Sequence, residues 1–511
     1  MSMRHDPVLK RILFAVPIPA LLVVISAFSG EYNAQQPEPE SGPAAEAVAC
    51  DQRGVKLAQS GDLAASIEQF RSALRLQPDY ADAWYHLGLA YDQARQTDHA
   101  MSGFEEALWF KPDYVEARYM LADCCRKRGD FAGELNILAQ VVARAPQFAE
   151  AHYNYGVALK SQNKPQPAVQ EFRAAVRLSP ENSKYMLALG IALADVDRKE
   201  AVTMLRAALQ HGADGADAHY NLGLALATNG DDDGAERELN RALELNPQQA
   251  AAFRALGVTQ MHEGKLEQAE NNLRRALEVM PSDAEAANNL GTVQLRLKDY
   301  DGAVQSLERA IELNPNLIKA HANLAQAYQR SGRATDAQRE SERVASLTAQ
   351  LRNRGKAMID VQSAREQFTA GRKADAVFTL ESAIAVNPDF ADAYFELGRV
   401  IRDSGGDSNE AIAAFRRALS LDPERADAHY EIGLAFERLG RKIDAMSEYR
   451  IAIEMAPCNV DARKALAKAA FDGGQWSLAA DQFRSVVAFR PQDAEAKREY
   501  NLAIQKQQPA R

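Results

Sequence analysis

The stretch ADAWYHLGLAYDQARQTDHAMSGFEEALWFKPDY, Ala81–Tyr114, decides the fold, because its pattern of large, small and helix-stopping residues returns along almost all of a 511-residue chain. Proline is the simplest tracer: Pro78, Pro112, Pro146 and Pro180, then Pro247, Pro281 and Pro315, then Pro388, Pro423, Pro457 and Pro491. Most intervals are 34 residues, and the gaps of 67 and 73 each conceal one unit that lacks the proline. About thirteen units fit between Ala47 and Asp493. Self-similarity at such a period overrides ordinary domain arithmetic.

Inside the unit, Trp84, Leu87, Gly88 and Tyr91 sit at i, i+3, i+4 and i+7, one face of an α-helix. After the polar turn Gln96-Thr97-Asp98, residues Ala100, Phe104 and Ala107 form a second such face. Pro112 stops that helix, since it lacks an N–H and clashes with the preceding turn. Asp113 is placed to cap the next helix with Glu116 answering it, and Ser282-Asp-Ala-Glu285 is a fuller version of the same box. Each unit therefore reads as two antiparallel helices. Gly88 and Ala100 let the pair approach closely, and Phe104 fills the seam beside them.

This pattern resembles the tetratricopeptide repeat (TPR) family. The family's small first-helix residue matches Gly54, Gly88, Gly156, Gly190, Gly223, Gly257, Gly291, Gly398 and Gly433. Its second-helix alanine is matched from Ala100 to Ala479, and its aromatic or leucine partner from Phe70 to Phe483. Departures are local: Ala122, Ala325, Ala364 and Ala467 replace the glycine, and Ser341 stands where a large apolar residue is expected. No narrower family is identified. The resemblance implies an all-α, right-handed superhelical solenoid of about thirteen helix-turn-helix units with a C-terminal capping helix.

Composition agrees. A solenoid adds length without thickening its core, so aromatic residues stay at 7%. A formal net charge of −10 argues against a nucleic-acid partner, which calls for a basic face.

In chain order, residues 1–30 read as a signal peptide or signal-anchor. Arg4, Lys10 and Arg11 precede the uncharged run ILFAVPIPALLVVISAF, Ile12–Phe28, and no basic residue follows until Arg53. That polarity places the repeats outside the cytoplasm, periplasmic or secreted. Small residues at Ala27, Ser29 and Gly30 offer a cleavage site, and retention as an inner-membrane anchor is the open alternative. Residues 31–46 are rich in Pro, Glu and Ala and read as a disordered spacer. The array then runs over 47–351 in nine units and over 352–493 in four, with 494–511 as cap and tail. The division rests on a lengthened stretch before Leu351, a missing proline, Gly355 and about five extra residues. It reads either as one lengthened helix pair or as a seam between two sub-arrays.

Motifs for chemistry are absent, and the chain reads as non-enzymatic, without cofactor, metal or small-molecule substrate. His152, His219, His321 and His429 recur at the place of Trp84, on the packed face, at least two repeats apart, too far to share an ion. His262-Glu263 lacks the second histidine of a zinc-protease helix, and Gly264-Lys265 lacks phosphate-loop spacing. The four cysteines, Cys50, Cys124, Cys125 and Cys458, fall in units that are not neighbours, so buried free thiols are expected rather than disulfides.

What remains is surface. Two residues after the Trp84 place, the helix points away from its packed face, and the chain there carries Asn154, Asn221, Asn289 and Asn323. An amide both donates and accepts, so such a row can pair with the backbone of an extended peptide whatever its sequence. It is similar to the asparagine ladder in the repeat half of O-linked N-acetylglucosamine transferase, and the similarity covers these four positions only. One position earlier run Tyr85, Tyr119, Tyr153, Tyr220 and Tyr430, which fit either an interface or partial burial between first helices. No unit combines the Lys, Arg and Asn of a chaperone-type carboxylate clamp. The expected function is a scaffold that binds protein or peptide segments in its groove and assists assembly of a cell-envelope complex. The membrane is a second partner if the N-terminal segment is retained. The alternatives are an architectural, self-associating protein or the regulatory subunit of a separate enzyme.

Overall fold

The computed structural model describes residues 42–507. The expected signal or anchor, and residues 31–41 of the expected spacer, lie outside the described residues. Among the described residues there are 26 helices and no strand, so the all-α repeat class is observed. The reference unit is the pair Ala81–Gln93 and Thr97–Phe110, and the same antiparallel pairing repeats from Pro43 to Phe489 before a last helix, Ala494–Gln507. No described helix is long and apolar enough to cross a membrane.

The seam within each pair follows from side-chain size. A Cβ added at Gly88 would lie 2.7 Å from Phe104 Cε1, and one at Gly433 would lie 2.3 Å from Tyr449. The large residue of the second helix thus occupies the space the glycine vacates, and Phe70, Phe104, Phe172, Phe415 and Phe483 are completely or almost completely buried. Where Ser341 replaces the large residue, it is exposed and its hydroxyl turns back to donate to Ala337 O at 2.9 Å.

Several expectations are corrected. The first helix spans Pro43–Gln59, so residues 43–46 of the expected spacer form its first turn; a proline there sacrifices no helix bond, and Glu46 suits the positive helix end. Asp113 does not cap, because the helix starts at Val115 and Tyr114 takes the cap position without a side-chain bond. In the fuller box it is Asp283, not Ser282, that accepts from Ala286 N, at 3.0 Å. Leu351 and Arg352, where the two expected sub-arrays divide, are consecutive residues of one 36-residue helix, Ala334–Thr369, so of the two readings it is the lengthened helix that is observed. Ala349 stands where other units place the stopping proline, and Gly355 alone costs only about 1 kcal/mol in a helix interior. The second helix of unit nine therefore runs on into the first helix of unit ten.

The chain divides into two compact units. One is Leu159–Ala393; the other joins the described residues up to Ala158 to those from Tyr394 on. In Leu159–Ala393 the core is a succession of small clusters between adjacent helices, such as Leu205 with Leu222 and Leu226, or Leu307 with Leu324 and Tyr328. That is the nearest-neighbour packing of a repeat array. In the other unit one large cluster unites early and late helices, with Leu108, Cys125 and Leu138 in the same core as Cys458, Val486 and Phe489.

Candidate functional site

Within Leu159–Ala393, Asn221, Asn289, Asn323 and Tyr220 are all half-buried on first helices. Asn221 donates to the Asp217 carbonyl one turn back, at 2.7 Å. Asn289 Oδ1 accepts from Asn288 at 3.4 Å. Asn323 reaches the preceding first helix, donating to Asn288 Oδ1 at 3.0 Å and to Thr292 Oγ1 at 2.9 Å. Other ties of one repeat length run along these helices: Arg254 with Asp283 at 3.0 Å, Gln249 with Asp217 at 3.0 Å, and Lys160 to the Ile191 carbonyl at 3.2 Å. Burial holds the Lys160 amine down to about 8. Asn323 thus ties two consecutive repeats, Asn221 and Asn289 bond within their own helix, and amide capacity remains: the carbonyls of Asn221 and Asn323 and both N–H bonds of Asn289 have no partner among the described residues.

In the other unit, Asn154 donates to the Tyr119 hydroxyl of the preceding first helix. The same register position carries His86, 2.9 Å from Asp51, and Glu431, paired with Arg402, so there too it ties one repeat to the one before. Tyr85, Tyr119 and Tyr153 are buried and Tyr430 is half-buried. Tyr85 packs 4.9 Å from the Tyr114 ring, Tyr119 5.0 Å from Phe148, and Tyr430 6.0 Å from Tyr449. Burial, with Glu150 nearby, pushes the Tyr153 phenol up to about 12.

The histidine series has a structural place. His321 lies 3.0 Å from the Pro315 carbonyl and 2.6 Å from Glu340; His219 lies 2.6 Å from Glu238, His429 2.7 Å from Glu448, and His152 3.2 Å from the Pro146 carbonyl. Trp84 makes the equivalent bond to the Pro78 carbonyl at 2.9 Å. The position ties the first helix to the turn before it at Trp84, His152, His219 and His321, and to the second helix of its own unit at His219, His321 and His429. Among the described residues no three side chains gather as a metal site.

One constellation was not foreseen. Cys125 and Cys458 form a disulfide, with Cα atoms 6.1 Å apart and a separation of 333 positions in sequence. The expectation of free thiols holds for Cys50 and Cys124 and fails for this pair, because units three and twelve touch although nine positions apart. Around the bond, Asp130 Oδ2 accepts from Cys458 N at 2.8 Å while its Oδ1 caps its own helix through Gly133 N at 2.8 Å. A Cβ at Gly133 would sit 2.4 Å from Cys458 Cβ, so only glycine permits this approach.

Arg118, 1% exposed, extends the contact. It donates to the Ala488 and Phe489 carbonyls at 3.3 Å, the negative end of helix Trp476–Phe489. Burial, and then Arg144, lower its guanidinium to about 10. Ser485 donates to Glu105 at 2.6 Å, Arg484 pairs with Glu106, and Trp109 packs on Tyr500 with ring centres 4.5 Å apart. Burial pushes Glu106 up to about 7 against the pull of Arg484, and Glu134 likewise to about 7 against Arg126. The sequence did carry a signal. The second helices of units two and thirteen end in the apolar runs Ala107–Phe110 and Val486–Phe489, where units six and eight read ALEL and AIEL.

Comparison with known proteins agrees with this architecture. A tetratricopeptide repeat model matches residues 135–183, 187–250, 254–318, 361–405 and 444–494. Further TPR models match 54–94 and 404–440, 294–354, and 81–114 and 426–458. The chain belongs to the tetratricopeptide repeat family. No curated protein matches it. Among solved structures, it is similar to YrrB, described as a TPR protein with an unusual peptide-binding site, at 25% identity over 36% of this chain and 95% of that one, TM-score 0.31. It is also similar to the Cut9–Hcn1 hetero-tetramer of the APC/C, at 15% identity over 90% and 97%, TM-score 0.34. A third is MamA from Desulfovibrio magneticus RS-1, at 23% identity over 33% and 95%, TM-score 0.31.

Proposed function

We propose that the chain is a non-enzymatic scaffold that binds extended protein segments along its first-helix face, outside the cytoplasm, in assembly of a cell-envelope complex such as a secretion, pilus or outer-membrane machine. The observation that carries the binding role is the unspent amide capacity of Asn221, Asn289 and Asn323, repeated on successive or near-successive first helices. A peptide backbone offers donors and acceptors in alternation, and a row of amides answers both without reading sequence. Two features support the compartment. The uncharged run Ile12–Phe28 follows basic residues, and a disulfide of this kind persists where the surroundings are oxidising. Retention of the N-terminal segment would tether the scaffold to the inner membrane.

The test is a crosslinking pull-down from intact cells. It compares wild type with the combined Asn154→Ala, Asn221→Ala, Asn289→Ala and Asn323→Ala variant, after circular dichroism shows equal helicity. Loss of a defined set of envelope proteins supports the reading. An unchanged set refutes the role of the asparagines, and a set of cytoplasmic proteins refutes the compartment.

A further inference from the structure

The long helix Ala334–Thr369 opens a face that every other interior unit closes. The third residue of a first helix normally lies against the preceding unit: Ala83, Ala117, Ala151, Ala252, Ala286, Ala320, Ala393, Ala428 and Ala462 are all fully buried. The equivalent in unit ten is Ile359, five residues before the small Ala364, and it is 68% exposed. The cause is the fusion itself. A second helix that continues straight into the next first helix cannot fold back to cover it.

Ile359 is part of a stripe. At about 100° per residue, Leu351, Gly355, Met358 and Ile359 share a sector roughly 100° wide. Leu351 and Met358 are 57% and 56% exposed. Ala357, Val361 and Ala364, on another side, are buried. Basic residues border the stripe on both edges, Arg352 and Lys356 on one and Arg354 on the other, and all three are exposed. None of the three has an ion-pair partner among the described residues, in a chain whose net charge is −10. Asp360 and Glu342 project from the opposite side of the helix.

We propose that this stripe, which runs on into the exposed Gln362 at the register of the asparagine row, is a second docking surface, and that its occupant is an acidic amphipathic helix of a partner protein. The apolar centre supplies burial, Gly355 lets a partner backbone come close, and the basic borders select a helix flanked by glutamate or aspartate. A second copy of the chain fits less well: antiparallel pairing of two such stripes about Gly355 sets like edges together, Arg354 beside Arg354 on one side and Arg352 and Lys356 beside their counterparts on the other.

The probe is a synthetic helical peptide of about 18 residues, with leucines at i, i+3, i+4 and i+7 flanked by glutamates, read by fluorescence anisotropy against the full chain. Its twin carries lysines in place of the glutamates. Two variants are compared, Leu351→Ser with Met358→Ser and Ile359→Ser, and Arg352→Glu with Arg354→Glu and Lys356→Glu. All six positions are exposed, and circular dichroism verifies the fold. Expected are saturable binding of the glutamate peptide, weakening between about 0.05 and about 0.3 M salt, and a loss of roughly tenfold or more in each variant. The proposal is overturned by no saturable binding, by equal binding of the lysine twin, or by variants that bind as wild type does. It is also overturned if vesicles of phosphatidylcholine with phosphatidylglycerol bind the stripe and the peptide does not, or if the stripe only mediates dimers seen by sedimentation.

Discussion

The disulfide Cys125–Cys458 and the contacts around it clasp early units to late ones, and removing the bond by combined Cys125→Ser and Cys458→Ser substitution has a calculable ceiling. Joining residues 333 apart lowers the entropy of the unfolded chain, which by the loop-closure relation is about 6 kcal/mol at 25 °C. The effect falls on the contact between early and late units, since repeat arrays open locally rather than all at once. Without the bond, the contact rests on the Arg118 bonds to Ala488 and Phe489, the Asp130 bond to Cys458 N, Ser485 on Glu105 and the Trp109–Tyr500 stack. Hydrogen bonds of this kind contribute about 1 kcal/mol each, or about 1.5–3 with a charged partner. The variant is therefore expected to fold, with the clasp opening more often by several kcal/mol. Thiol titration of the unfolded chain without reductant should find two free cysteines, Cys50 and Cys124, and four after reduction. Hydrogen exchange should accelerate in helices Phe131–Arg144 and Trp476–Phe489 of the variant, and not in Asp232–Leu245. Four titrating thiols before reduction, or equal exchange in variant and wild type, would show that the bond does not hold early and late units together.

Three further outcomes follow from the same geometry. Arg118→Ala should destabilise the clasp by about 3 kcal/mol, because it strips a charged donor from buried carbonyls, and the thermal midpoint of the clasp should fall in both oxidised and reduced protein. Gly88→Ala should cost about 1–3 kcal/mol by overpacking, since its Cβ would meet the fully buried Phe104 ring; a midpoint within error of wild type would contradict the packing of the seam. Burial raises Glu106 and Glu134 to about 7 in the folded chain, above the unfolded carboxylate value, so the stability they contribute is full below that unfolded value and is lost as pH rises through about 7. Melting should therefore shift upward from pH 8 to pH 5.5, and Glu106→Gln with Glu134→Gln should flatten that slope.

The helix-pair unit was legible in the sequence because one glycine and one large residue recur at fixed spacing, and Gly88 with Phe104 meet as their sizes demand. Nearest-neighbour logic hid the clasp. It treats Cys125 and Cys458 as remote, and nothing in the 34-residue pattern reports that units three and twelve meet. The apolar runs ALWF and VVAF were the local sign, since a solvated second helix would carry a charge in each. The asparagines were found by register, but register says nothing of their partners. Asn154 bonds Tyr119 and Asn323 bonds Asn288, ties set by side-chain reach across one repeat. The stretch through Gly355 stayed open between a lengthened helix pair and a seam because a glycine weakens a helix without ending it, whereas proline ends it.

Protein segments are proposed to lie along the first-helix face. Site-specific photocrosslinking in living cells tests this placement directly, with benzoylphenylalanine placed at Asn221 on a first helix and, separately, at the exposed Arg237 on the second helix of the same unit. Discrete adducts with envelope proteins are expected from position 221, and none of the same set from position 237. Adducts from position 237 alone, or none from position 221 in a folded chain, would contradict that placement.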